Sequence, residues 1–213
     1  MSITLHGYRY SVYLRIARMA FFEKGVSVGH AEIDPFADDV PASYLEMNPF
    51  GRVPTLVHDG FVLYETIAIT RYADEAFDGP PLQPDDPRRR ARMNQIVAIL
   101  DSYGYQPMVR QVFSQRVFNA RLGRLPDEAV VERGMVASNL VLRALEKLCV
   151  DSGDLLDGNI TLADLHLAGM MAYFTAAKEG AAALSHYTGL SWWWDKIQER
   201  DVLAATDPGL PVA

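Results

Sequence analysis

The stretch Asn48 to Thr66, NPFGRVPTLVHDGFVLYET, leaves this chain few ways to fold. Asn48-Pro49 and Gly51 interrupt regular structure, because proline lacks an N–H and glycine tolerates backbone angles that other residues avoid. Val53-Pro54 then opens a short apolar run, Thr55-Leu56-Val57. His58-Asp59-Gly60 predicts a tight turn, since Asp-Gly suits the two central hairpin positions that need positive φ. Phe61-Val62-Leu63 is the return strand. Glu65-Thr66 then opens a helix over Thr66 to Ala76, with Ile67, Ile69 and Tyr72 as its apolar positions.

Pro54 stands at the mouth of a strand, where it lacks the N–H a ladder needs. A cis Val53-Pro54 bond would resolve this, cis bonds being nearly confined to proline. It would turn the N–H and C=O of Val53 outward, free to pair with an extended peptide as an added strand does. Glu65-Thr66 lies one hairpin away at a helix N-terminus, where free N–H groups and a hydroxyl suit a carboxylate. Singly, each feature has an ordinary use: Val-Pro at a strand edge as a turn, Glu-Thr as a helix cap. In this order and spacing they describe a site for a short peptide held in its middle and by a carboxylate at one end.

The same stretch resembles the glutathione-binding signature of cytosolic glutathione transferases, N-P-x-G-x-V-P-x-L followed by E-S. Thr66 replaces the usual serine and keeps the hydroxyl. The resemblance implies that Val53 and Pro54 hold the cysteinyl backbone of glutathione, that Thr66 holds a carboxylate, and that Glu65 meets the amino group. Arg52, where the family often has Lys, would reach the glycyl carboxylate; its planar fork suits a bidentate grip.

The order of elements agrees. Ile3 to His6 is a strand, Val12 to Lys24 a helix closed by Gly25, Val26 to Ile33 a strand, and Ala42 to Met47 a brief helix or turn; the hairpin and its helix follow. The crossover rule makes the first two strands parallel, and the Asp-Gly turn makes the last two antiparallel. This β-α-β-α-β-β-α order over residues 1–78 resembles the thioredoxin-like domain of the family. Asp78 to Pro87 has four prolines in ten residues, so residues 79–86 form a linker. Residues 87–213 form an all-helical domain, beginning with Asp86 as cap and Pro87 in the first turn. Asp127 to Leu148 presents Val130, Ala137, Val141, Ala144 and Leu148 as a helix face, and Gly153 to Asn159 is a loop. Thr161-Leu162-Ala163-Asp164 is a capping box with Asp in place of the usual Glu, as in the family's helical domain, and its role is in folding. Trp192, Trp193 and Trp194 cannot all face one way on a helix. At least one is expected to pack against the other domain or a partner. The closing helix resembles the family's W-x-x-x-x-x-R-P element, with Asp201 in place of the proline.

The chemistry such a protein performs depends on thiolate. A free thiol with pKa about 8.5 is only about 3% ionised at pH 7. Bringing that pKa down to about 6.5 takes about 2.7 kcal/mol of differential stabilisation. A hydroxyl donating to sulfur at a helix N-terminus suits the task. Ser11 is such a hydroxyl. The segment from Ser11 to Arg18, SVYLRIAR, resembles the S-P-x-x-x-R/K-V-R pattern of serine-type classes, although Val12 replaces the proline and Ile16 the first basic residue. A bacterial-like, serine-type enzyme is the expectation. Tyr8 is the alternative thiol activator, as other classes use a tyrosine from the end of the first strand. Cysteine-type relatives carry Cys where Ser11 stands, and isomerase relatives carry a Ser-Ser-Cys loop absent here. Tyr105, Met108 and Phe113, on the long helix that lines the electrophile pocket in the family, are the expected pocket residues.

Composition narrows the classes. A net charge of −7 over 213 residues argues against a general nucleic-acid binder. No apolar run approaches a membrane span, and the N-terminus lacks a signal core. Cys149 is the only cysteine, and the five histidines are scattered, so no multi-cysteine zinc site is expected. The resemblance therefore implies a cytoplasmic homodimer that uses glutathione as co-substrate, needs no metal, and conjugates it to small hydrophobic electrophiles. Its dimer face would set Arg71, Asp74 and Glu75 against the partner's Arg88 to Arg92. The rival expectations are a non-catalytic module of the same fold and a glutathione-dependent peroxidase.

Overall fold

The computed structural model describes residues 2–149, 155 and 158–211. They form two compact units: Met1–Leu82 with Ala205–Pro208, and Gln83–Ala204 with Gly209–Ala213.

The first unit is a thioredoxin-like α/β layer. Its strands are β1 (Ile3–Gly7), β2 (Gly29–Glu32), β3 (Thr55–His58) and β4 (Phe61–Tyr64), and its helices α1 (Val12–Glu23), α2 (Ala42–Met47) and α3 (Thr66–Ala76). The sheet order is β2-β1-β3-β4; β1 and β2 are parallel, and β3 is antiparallel to both β1 and β4. Asp59 (φ 47°) and Gly60 (φ 89°) make the expected turn, both in the left-handed region. The second strand is shorter than Val26 to Ile33, because the Val26 N–H is spent on Phe21 O (2.9 Å) in closing α1. The core of the unit is Leu5, Leu14, Ile16, Phe21, Leu56 and Ile69, all fully buried.

One buried ion pair ties this unit together. Lys24 Nζ donates to Asp74 Oδ1 (3.2 Å), Pro80 O (3.1 Å) and Gly79 O (3.4 Å), and Asp74 Oδ1 also accepts from the Leu82 N–H (2.8 Å). The Lys24 and Asp74 side chains are 3% and 7% exposed. Asp74 therefore does not belong to the charged face expected for a dimer contact. Its carboxylate turns inward to neutralise Lys24, and the pair pins residues 79–82 to the end of α1.

The second unit is helical: α4 (Pro87–Ile99), α5 (Asn119–Arg121), α6 (Glu128–Glu146), α7 (Leu162–Phe174), α8 (Lys178–Leu184), α9 (Thr188–Ile197) and α10 (Asp201–Ala205). Asp86 caps α4 through the Arg89 N–H (2.9 Å). Beyond Ile99 the helix widens into a π-type segment, Leu100–Phe118, closed by the Asn119 N–H on Ser114 O. Pro107 lies inside it; a proline ring collides with the carbonyl one α-turn back, and a wider turn relieves that collision. The centre of the unit is α7, buried from Leu162 to Phe174 except at Ala172.

The buried face of α6 is not the one its apolar spacing predicts. It consists of Val131, Gly134, Ser138, Val141, Leu142 and Leu145. Gly134 is the cause. A Cβ there would lie 2.7 Å from Gln111 Cβ and 3.2 Å from Pro107 O, so the small residues face the π-type segment and set the helix rotation. Val136 and Leu140 are left outside, 70% and 67% exposed.

The capping box of α7 forms as expected. Asp164 Oδ2 accepts from the Thr161 N–H (2.8 Å) and hydroxyl (2.7 Å), and Oδ1 from Trp193 Nε1 (2.8 Å). Burial raises the Asp164 pKa, against the hydrogen bonds from Thr161 and Trp193. Of the three tryptophans, Trp193 is thus buried within its own unit, while Trp192 is exposed. The loop expected over Gly153 to Asn159 lies largely outside the described residues. Among those described, no helix is long and apolar enough to cross a membrane.

Lys24→Met is expected to lower stability by about 3 kcal/mol, because it leaves Asp74 buried without its cation. Urea denaturation measures this; a loss below about 1 kcal/mol, as for an exposed pair, would contradict the interior role.

Candidate active site

The sheet register gathers the candidate residues at one edge of the first unit. His6 pairs with Thr55 and Thr55 with Tyr64, so the C-terminal end of β1, the start of β3 and the end of β4 coincide. Beyond those ends stand the loop from Tyr8 to Ser11, the Val53-Pro54 peptide, and Glu65-Thr66. Gly7 pairs with Glu32, so the loop after β2 emerges at the same edge. Two strand spacings span about 10 Å, the length of an extended tripeptide.

Ser11 is the N-cap of α1, in extended backbone (φ −72°, ψ 125°), and its Oγ accepts from the Leu14 N–H at 3.3 Å. Accepting uses an oxygen lone pair and leaves the hydroxyl proton to be donated elsewhere. Capping the helix and donating to a ligand are therefore compatible. No acidic side chain stands in the first turn of α1 to oppose an anion.

Tyr8 lies beside Ser11 in the chain, and its carbonyl accepts from the Ser11 N–H at 2.8 Å. Its ring meets Tyr10 (5.4 Å between centroids) and Phe36 (6.0 Å) edge-on. Burial raises the Tyr8 pKa, and the charges of Asp34 and Glu32 add to the effect. Phe36, which the sequence did not single out, joins Tyr8 and Tyr10 in an aromatic wall. Its signal was only an exposed aromatic after the Asp34-Pro35 break.

The Val53-Pro54 bond is cis, as expected. Among the described residues none hydrogen-bonds the Val53 backbone, while Arg52 O is taken up by the Tyr44 hydroxyl and by Asn48 Nδ2 (2.9 Å). Thr55 Oγ1 lies 3.0 Å from the same hydroxyl and 3.2 Å from the same amide. Asn48 Oδ1 accepts from the Phe50 N–H (3.1 Å). Tyr44, Asn48 and Thr55 thus form a buried polar cage beneath the loop. In the sequence Asn48 is legible as a breaker and as the first position of the N-P-x-G-x-V-P-x-L pattern, whereas Tyr44 carries no such mark. Their spacing of four was the available signal, since the turn that ends α2 brings the Asn48 N–H onto Tyr44 O (2.9 Å).

Glu65, at the N-terminus of α3, has φ 72° and ψ 118°, a strained conformation for a residue with a Cβ. Its side chain does not cap that helix end, which leaves first-turn N–H groups available to an anion. Thr66 is 7% exposed. Glu65 and Arg52 are both exposed and offer one charge of each sign at this edge.

In the second unit Tyr105 is half-buried, Met108 is fully buried, and Phe113 stacks on Tyr173 at 4.5 Å. Met108 and Phe113 thus stand in the packed interior, and Tyr105 keeps accessible surface. Cys149 is half-buried, and burial, with the charges of Glu146 and Asp164 adding to it, pushes its thiol up to about 12. It is a poor nucleophile at neutral pH.

Residues 5–81 match the family model of the glutathione S-transferase N-terminal domain, and residues 105–201 that of the C-terminal domain. Glutathione S-transferase F13 of Arabidopsis thaliana is 27% identical over 100% of this chain and 98% of its own length. The probable maleylacetoacetate isomerase of Caenorhabditis elegans is 31% identical over 70% of this chain and 68% of its own. The apo structure of glutathione S-transferase III superimposes with a TM-score of 0.86 at 25% identity, covering 100% of this chain and 99% of that one.

Tyr8 is expected to titrate above its ordinary value near 10. A phenol whose folded pKa is raised contributes stability that is fully present below its unfolded pKa and is lost as pH climbs through the folded value. Tyrosinate absorbance of the wild type minus Tyr8→Phe should show a midpoint above pH 10. A midpoint at or below 10 would contradict the described surroundings.

Proposed function

The chain belongs to the glutathione S-transferase family, and we propose that it activates glutathione with Ser11 and transfers it to small apolar electrophiles. The observation that carries this reading is the shared sheet edge. There the loop to Ser11, the Val53-Pro54 peptide and the α3 terminus adjoin the ends of three neighbouring strands, β1, β3 and β4, and two strand spacings match the length of an extended tripeptide. In the domain over residues 1–78, Val53 would pair with the cysteinyl backbone beside Pro54. The first turn of α3 and the Thr66 hydroxyl would take one carboxylate, Arg52 the glycyl carboxylate, and Glu65 the ammonium. After the 79–86 linker, residues 87–213 would supply the electrophile pocket through Tyr105, backed by Met108 and Phe113.

Ser11 is favoured over Tyr8 on electrostatic grounds. A hydroxyl donating to sulfur favours the thiolate, and the dipole of α1 adds to this. Burial, with the charges of Asp34 and Glu32 adding to it, raises the Tyr8 pKa and makes that phenol the weaker proton donor to sulfur. The isomerase named among the relatives does not supply a better reading: the loop Gly7-Tyr8-Arg9-Tyr10-Ser11 contains no cysteine.

In the reaction the bound thiol gives up its proton and its sulfur attacks the electrophile. Glutathione is the co-substrate, and none of the proposed roles calls on a metal. The cytoplasm, where glutathione is abundant, is the setting. The homodimer remains part of the reading on apolar rather than charged surfaces, since Phe50, Phe61 and Val62 of the first unit and Val136 and Leu140 of α6 are exposed. Light scattering at micromolar concentration should give twice the chain mass.

Ser11→Ala is expected to lower turnover at pH 7 by roughly 25-fold, the loss of thiolate when a pKa near 6.5 returns to 8.5, with partial recovery at alkaline pH. Thr66→Ala should instead raise the dissociation constant about tenfold with little change in turnover, because its contact is the same in ground and transition states. Thiolate absorbance of the enzyme–glutathione complex and steady-state kinetics check both. If Ser11→Ala leaves the bound thiol pKa unmoved while Tyr8→Phe raises it, the tyrosine takes the role. Binding of glutathione without turnover of any aromatic electrophile or peroxide would point to a non-catalytic module.

A further inference from the structure

The geometry points to Tyr44 as a positioning residue for glutathione: with Asn48 it holds the Arg52–Val53 peptide so that the Val53 N–H faces the ligand. This rests on the glutathione reading above and adds a residue outside the ligand's reach, since Tyr44 is 1% exposed.

The planarity of the peptide unit couples its two polar groups. The Arg52–Val53 bond is trans, and a peptide plane points its C=O and N–H in opposite directions. Arg52 O accepts from two interior donors, the Tyr44 hydroxyl and Asn48 Nδ2, which match the two lone pairs of a carbonyl. Drawing the carbonyl inward drives the Val53 N–H outward, where no described residue meets it. The Tyr44 proton is committed to Arg52, so Thr55 donates to the Tyr44 oxygen and accepts from Asn48. Thr55 is the first residue of β3, so the same cage fixes where the strand begins and how the Val53 peptide is rotated relative to it. Rotation of that plane would weaken pairing with the peptide backbone of the ligand and leave the Ser11 hydroxyl, on another element, unaffected. The effect should therefore appear in binding and not in thiol activation.

The test is glutathione binding by titration calorimetry, steady-state kinetics, and amide hydrogen exchange at Val53. In the wild type, glutathione should slow exchange at Val53. Tyr44→Phe should weaken glutathione binding about fivefold, the worth of one hydrogen bond, with kcat within about twofold at saturating glutathione and the bound thiol pKa unchanged. Thr55→Val, which removes the other hydroxyl of the cage, should act in the same sense, and Thr55→Ser, which keeps it, should not. Wild-type binding with unaltered affinity in both Tyr44→Phe and Thr55→Val would overturn the positioning role and leave the glutathione site standing. A wild type that does not bind glutathione would overturn both.

Discussion

One peptide unit, Arg52–Val53, governs how this site is built. A loop that must present free backbone groups to a ligand has to satisfy its remaining groups elsewhere, because buried polar atoms without partners cost on the order of 1–3 kcal/mol each. Here the carbonyl side is satisfied from within by Tyr44 and Asn48, which frees the N–H side for the exterior. Asn48 also accepts from the Phe50 N–H, so the turn before the strand and the strand itself are held by one side chain. The sheet register then brings Ser11 and the α3 terminus to the same edge.

The hydroxyl of Ser11 can cap its helix and still keep a proton to donate. As acceptor from Leu14 it closes the first turn of α1, a role worth about 1 kcal/mol. Its proton remains available to a sulfur placed at the positive end of the helix dipole. Glu65 makes the opposite compromise. It accepts a strained backbone, offers no cap to α3, and leaves the helix terminus open to a carboxylate.

Much of the first unit was legible in the sequence because its signals are local. Asp59-Gly60 demanded a hairpin, Gly25 closed α1, and Val53-Pro54 could satisfy a strand mouth through a cis bond. What was not legible depends on partners far along the chain. Nothing near Asp74 shows that Lys24, fifty residues earlier, draws it inside. The face of α6 departs from its apolar periodicity because packing there is decided by Gly134, whose missing side chain admits a neighbouring helix. Which of the three tryptophans turns inward was equally hidden, because Trp193 is chosen by a carboxylate twenty-nine residues earlier, Asp164, that takes its N–H. In the site, the motif positions were visible as a pattern, but Tyr44 was not, because its hydroxyl matters only once the loop folds over it.

The central claim is that glutathione lies along this sheet edge with its sulfur against Ser11. A crystal structure of the protein with glutathione bound tests it most directly. The expected result has the Ser11 hydroxyl within hydrogen-bond distance of the sulfur, the Val53 backbone paired with the cysteinyl residue, and a carboxylate at the first turn of α3. A tyrosine hydroxyl nearest the sulfur, or a ligand that leaves the Val53 N–H unpaired, would contradict it.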